Sequence, residues 1–167
     1  MTRSRKNLSR TKELQSLWWD WLSTAERALH ALYEQNAALV IRDFARIDKI
    51  QPEIDKLITR MEQVDRDAAA LAIKLAEELG AQPNLRSLLS VLEQAEAQRL
   101  QSIANRVKVV GANLKEQLRK NKALIESEMS YISGTLTLIA KVAQGNNNKG
   151  PYGNKVQHDS VLMDQRT

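Results

Sequence analysis

The stretch VIRDFARIDKIQPEIDKLITRMEQVDRDAAALAIKLAEELG, residues 40–80, decides how this chain folds. Val40, Ile47, Ile54, Met61, Ala68 and Leu75 recur every seven residues, and Ile50, Leu57, Val64 and Leu71 each follow one of them by three. A repeat of that length lays one apolar seam along one face of a helix, as in a coiled coil. Pro52 falls inside the seam without changing its phase. It predicts a kink, or a helix restarting with proline in its first turn. Gly80 and Pro83 then close the helix, glycine at its end and proline just beyond.

Working outward, the chain reads as long helices and a tail. Towards the N-terminus, Leu14, Leu17/Trp18, Trp21/Leu22, Ala25, Ala28/Leu29 and Leu32 step by three and four. This predicts a helix over about 11–35, with Asn36 as its interruption and a second helix over 37–80. Residues 1–10 carry Arg3, Arg5, Lys6 and Arg10 before any acid, and read as a basic flexible arm. Beyond the Gly80–Asn84 turn, a third helical region is predicted over 85–143. Leu85, Leu88/Leu89 and Leu92 begin its stripe, and Leu100, Ile103, Val107, Val110 and Leu114 continue it. The stripe shifts phase near Leu118 and resumes at Ile125, Met129, Ile132, Leu136 and Ile139, which changes the apolar face. Ser127, Ser130, Ser133, Gly134, Thr135 and Thr137 within that last part are poor helix formers. Such a segment suits folding on a partner, or packing on the body. Residues 144–167 open with Gly145-Asn146-Asn147-Asn148-Lys149-Gly150-Pro151 and read as a disordered tail.

Length sets the architecture. A helix of about 45 residues is roughly 67 Å long. A compact globule of this size has a radius of gyration of only about 15 Å. The prediction is an all-α, elongated antiparallel helical hairpin or bundle, one domain over 11–143, with a C-terminal amphipathic helix and a flexible tail.

Composition excludes most chemistry. The chain of 167 residues has no cysteine and two histidines, His30 and His158. That removes disulfides, thiolate metal sites and a zinc site of His and Cys, and argues against a histidine-based triad. His158-Asp159-Ser160 has the letters of a triad, but three adjacent residues cannot take its geometry. No glycine-rich phosphate loop is present, so no nucleotide, metal or other cofactor and no enzyme activity is expected. No run of 18 apolar residues is present, and no apolar segment follows the basic N-terminus. The expectation is a cytoplasmic protein with no direct membrane insertion. The net charge of +5 permits nucleic acid as partner. However, Arg99, Arg106, Lys108, Lys115, Arg119, Lys120 and Lys122 are spread around the helix with no interleaved aromatics, so a solvated surface is expected there. Trp18 and Trp21 share the apolar face of their helix, and Trp19 points elsewhere, where it is either a stray aromatic or a partner anchor.

One further pattern runs from Asn121 to Gly153. Asn121-Lys122-Ala123-Leu124-Ile125-Glu126 precedes the amphipathic segment, a polar spacer comes next, and then Tyr152-Gly153. This resembles the FlgN-type flagellar export chaperones, whose C-terminal region reads Asn-x-x-Leu-Leu/Ile-Glu, an amphipathic helix, then a Tyr-Gly word. Asn154-Lys155-Val156 stands where family members often carry a further glycine. The resemblance implies a cytoplasmic chaperone that binds hook–filament junction proteins through their C-terminal helical segment. It would keep them unassembled and deliver them to the cytoplasmic domain of the flagellar type III export gate. It implies cargo binding by Ile125, Met129, Ile132, Leu136 and Ile139, and gate docking by Tyr152 and Gly153. Two other readings stay open: a structural adaptor that forms a homodimer through the Val40–Leu75 seam, and a basic helical nucleic-acid binder.

Overall fold

The structure is a computed structural model that describes the backbone of residues 2–147 and the side chains of residues 8–145. Four helices succeed one another: α1 (Thr2–Val40), α2 (Phe44–Leu79), α3 (Leu85–Val91) and α4 (Gln94–Asn147). Among the described residues no strand occurs, and the all-α reading holds. By its internal contacts the chain divides into two units, Met1–Ile125 and Glu126–Thr167.

The heptad seam is the core of the first unit. Ile50, Ile54, Leu57, Met61, Val64, Ala68 and Leu75 are all buried on α2. Pro52 lies inside α2 on its exposed side. The carbonyl that proline's missing N–H leaves without a helical partner can therefore be solvated, which tempers the cost of an interior proline. Gly80 ends the helix in the left-handed region (φ 69°), and Ala81 N–H donates to Ala76 C=O at 2.8 Å. These bonds satisfy carbonyls that a helix end would otherwise leave open.

Side-chain pairings set the directions. From Gln35–Gln51 to Asp20–Arg60 the sequence separation grows from 16 to 40, as antiparallel helices require. The contacts Trp19–Arg106 and Asn36–Asn121 instead keep nearly constant separations of 87 and 85, so the first part of α4 runs parallel to α1. The result is an up-down-up arrangement within this unit. Buried Ala25, Ala28 and Ala31 on α1 present little bulk, and with Leu32 they pack against Ile50, Ile54, Leu57 and Met61 of α2 and Leu114 of α4. A second cluster joins Leu14, Ala68, Leu75, Leu88 and Leu100, one or more from every helix.

Several expected boundaries move. Asn36 does not interrupt the first helix; α1 runs on to Val40, because Gln35, Ala38 and Leu39 are buried and hold that turn in place. The real turn is Ile41–Asp43, with Arg42 at φ 57° and the Asp43 side chain capping α2 by accepting from Arg46 N–H at 3.1 Å. Helix α2 therefore starts at Phe44, and Val40, the first seam position, belongs to α1 and is exposed. At the other end α1 begins at Thr2, inside the stretch read as a flexible arm. Thr11 is buried and Arg10 pairs with Glu78, so tertiary contacts support a turn that charge alone argued against. The third region is two helices. Asn84 caps α3 through Ser87 N–H, and Leu92 is extended (φ −88°, ψ 156°), which breaks the helix before α4 starts at Gln94. Helix α4 extends past the expected end at 143 to Asn147, and the rest of the tail lies outside the described residues.

Candidate cargo-binding surface

The second unit begins at Glu126 and contains the last part of α4. Met129, Ile132, Leu136 and Ile139 recur by three and four, so on a helix they share one face. Their exposure runs from 42% at Ile132 to 65% at Met129. Four large apolar side chains in a row on the open face of one helix are not the isolated exposed apolar residues common on protein surfaces. Ile125, the fifth residue of the predicted stripe, falls at the end of the first unit and is half-buried. Tyr152 and Gly153, expected to dock on the export gate, lie outside the described residues.

The sequence reading traced one stripe and missed a second. Tyr131, Leu138 and Val142 are also exposed on this unit. The signal was available: Leu124, Tyr131 and Leu138 recur every seven residues. The two threonine hydroxyls in between are satisfied locally, Thr135 Oγ1 donating to Tyr131 C=O and Thr137 Oγ1 to Ser133 C=O, both at 3.0 Å. They therefore need no partner.

The first unit bears on the alternative readings. The Val40–Leu75 seam is used inside the chain: seven of its positions are buried, six of them in the two clusters formed with α1, α3 and the early part of α4. It offers no second copy a continuous apolar strip. Arg106 lies over the Trp19 ring, 4.9 Å from its centroid. This cation–π contact accounts for the one tryptophan that points away from the core. Arg119 donates to both carboxylate oxygens of Glu116 at 2.8 and 2.9 Å. That pairing holds the Glu116 carboxyl below its ordinary pKa, but both groups are exposed and solvent screens the pair. An apolar cavity of about 240 Å³ between α1, α2 and α3 is lined by Leu14, Trp18, Ala72, Ile73, Ala76 and Leu88 among others. No titratable side chain reaches it, so it offers no acid or base. Among the described residues no cluster of metal-ligating side chains occurs, and no helix is long and apolar enough to cross a membrane.

The FlgN family, described as FlgN protein, matches residues 1–157. No curated protein and no solved structure matches the chain. A match across nearly the whole length, over long helices that end in an open apolar face, leaves one conclusion: the chain belongs to the FlgN family of chaperones for flagellar type III export.

Proposed function

We propose that this chain is a cytoplasmic, non-enzymatic chaperone that binds hook–filament junction proteins through Ile125, Met129, Ile132, Leu136 and Ile139. It keeps them unassembled and hands them to the flagellar export gate, with Tyr152 and Gly153 as the gate-docking word. The observation that carries this reading is the exposed apolar face of the second unit. Helix-in-groove recognition uses anchors at this spacing, and methionine accommodates partners of varied shape. Burying one large apolar side chain contributes about 1.5–3 kcal/mol. Four anchors therefore supply enough, after the cost of association, for micromolar binding or tighter. A tail beside the cargo site would let one molecule hold cargo and gate together.

Calorimetry of the full chain with the C-terminal helical segment of a hook–filament junction protein tests the reading. Submicromolar 1:1 binding is expected, and Leu136→Asp should weaken it by about 100-fold, since it sets a carboxylate against an apolar partner. Because Leu136 is exposed, the far-UV spectrum should not change. No heat of binding, or equal affinity for wild type and variant, would sink the cargo assignment.

A further inference from the structure

The second unit exposes more apolar helix surface than one partner helix can cover. At about 100° per residue, Met129, Ile132, Leu136 and Ile139 fall within a sector about 80° wide. Tyr131, Leu138 and Val142 fall within another, about 40° wide and centred about 120° from the first. Glu128 and Thr135 occupy the strip between the two sectors. All seven apolar side chains are at least 42% exposed. The remaining circumference carries Ser130, Ser133, Gly134, Thr137 and Lys141.

A helix normally buries a stripe of roughly 100° against its neighbour. One partner helix centred on either ridge therefore leaves the other ridge in water. One centred between the ridges covers about 50° to either side, and leaves Met129 and Leu136 at one edge and Tyr131 and Leu138 at the other in water. Two helices resolve the conflict. Packed at about 8–10 Å from the helix axis and 120° apart, they have axes about 16 Å from each other, one over each ridge. A trimer of this chain fits less well, because in a three-helix bundle each helix meets its two neighbours only about 60° apart.

Resting on the cargo reading above, we infer that the cargo supplies two amphipathic helices. One lies on the Met129–Ile132–Leu136–Ile139 ridge and the other on the Tyr131–Leu138–Val142 ridge. The second ridge decides whether the chaperone holds a longer, paired-helix segment or a single terminal helix.

The test uses the full chain and two cargo fragments: the terminal helix alone, and that helix with the helical segment before it. Calorimetry is run with wild type, Leu136→Asp and Leu138→Asp, and light scattering gives the masses. Both substituted positions are exposed, and far-UV circular dichroism checks that each variant is folded. The longer fragment should bind at least about 30-fold tighter, the effect of burying one further large apolar side chain. Leu138→Asp should erase that gain while changing short-fragment affinity by less than about 2-fold, and Leu136→Asp should weaken both fragments. Equal affinity of the two fragments would overturn the two-helix inference and leave the chaperone reading standing. So would a Leu138→Asp variant that binds the longer fragment normally, or that weakens the short fragment as much as the long one. A trimer of the free chain would assign the second ridge to self-association and overturn it too. If neither fragment binds wild type, both readings fall.

Discussion

Asn121 shows what a single residue contributes here. Its side chain is 1% exposed. Its Nδ2 donates to Leu32 C=O at 2.8 Å and to Gln35 Oε1 at 3.0 Å, and its Oδ1 accepts from Gln117 Nε2 at 2.9 Å and Asn36 Nδ2 at 3.0 Å. Both donors and both lone pairs of the amide are used. Gln35 passes the chain of bonds to Gln51 on α2. One side chain thus ties α1 to α4 and, through Gln35, to α2. A one-turn slip of α4 would leave all four bonds unmade, so the network fixes the register that a repetitive apolar seam leaves loose. Asn121→Leu should destabilise the chain by about 2–4 kcal/mol, because Leu32 C=O and three amides lose partners in a buried place. Asn121→Asp should cost more, since it removes the donors and buries a charge. Urea denaturation reads both, and a change under about 0.5 kcal/mol for either would show that the network is dispensable.

At the scale of the element, α4 is two materials in one helix. Its first part carries Leu100, Ile103 and Leu114 into the core. Its last part carries Ser127, Ser130, Ser133, Gly134, Thr135 and Thr137, which together cost about 3 kcal/mol of helix propensity against alanine. Every position from 129 to 145 is exposed, so within this unit no buried face offsets that cost. Amides over 127–140 should therefore exchange with solvent far faster than those of α2, and cargo should slow them. Around Gly134 a Cβ would meet nothing within 4 Å. Gly134→Ala should add about 0.5–1 kcal/mol of helical stability locally and slow exchange there by several-fold. Protection equal to that of α2 in the free wild-type chain would refute this account.

For the whole molecule, the decisive fact is where the buried residues stop. Both hydrophobic clusters are made from residues between Leu14 and Leu118. Among the described residues the last buried side chain is Asn121. Stability is then a property of the first unit, and on the proposed reading recognition is a property of the second. A chain ended after Ile125 should keep a cooperative thermal transition within about 5 °C of the full chain, and should bind no cargo fragment. A truncated chain without a cooperative transition would show that the later residues are needed for folding.

The seven-residue repeat of 40–80 and the Gly80–Pro83 stop by themselves determined an all-α chain of long helices and the turn between the second and third. Periodicity and breakers are local properties, legible wherever apolar residues keep to one face of a helix, whether or not the chain buries that face. The stripe Ile125–Ile139 was legible for the same reason. Tertiary packing settled the matters that depend on neighbours. Burial of Gln35 and Leu39 carried α1 past Asn36, and an extended Leu92 divided the third helical region. Asn121, read in the sequence as one letter of a family word, became the hub of a buried network only when α1 was laid beside it. The two apolar stripes looked alike as sequence. Packing buried the one on α2 and left the one on the second unit open, and an apolar face acts as core or as binding surface according to whether the chain itself covers it.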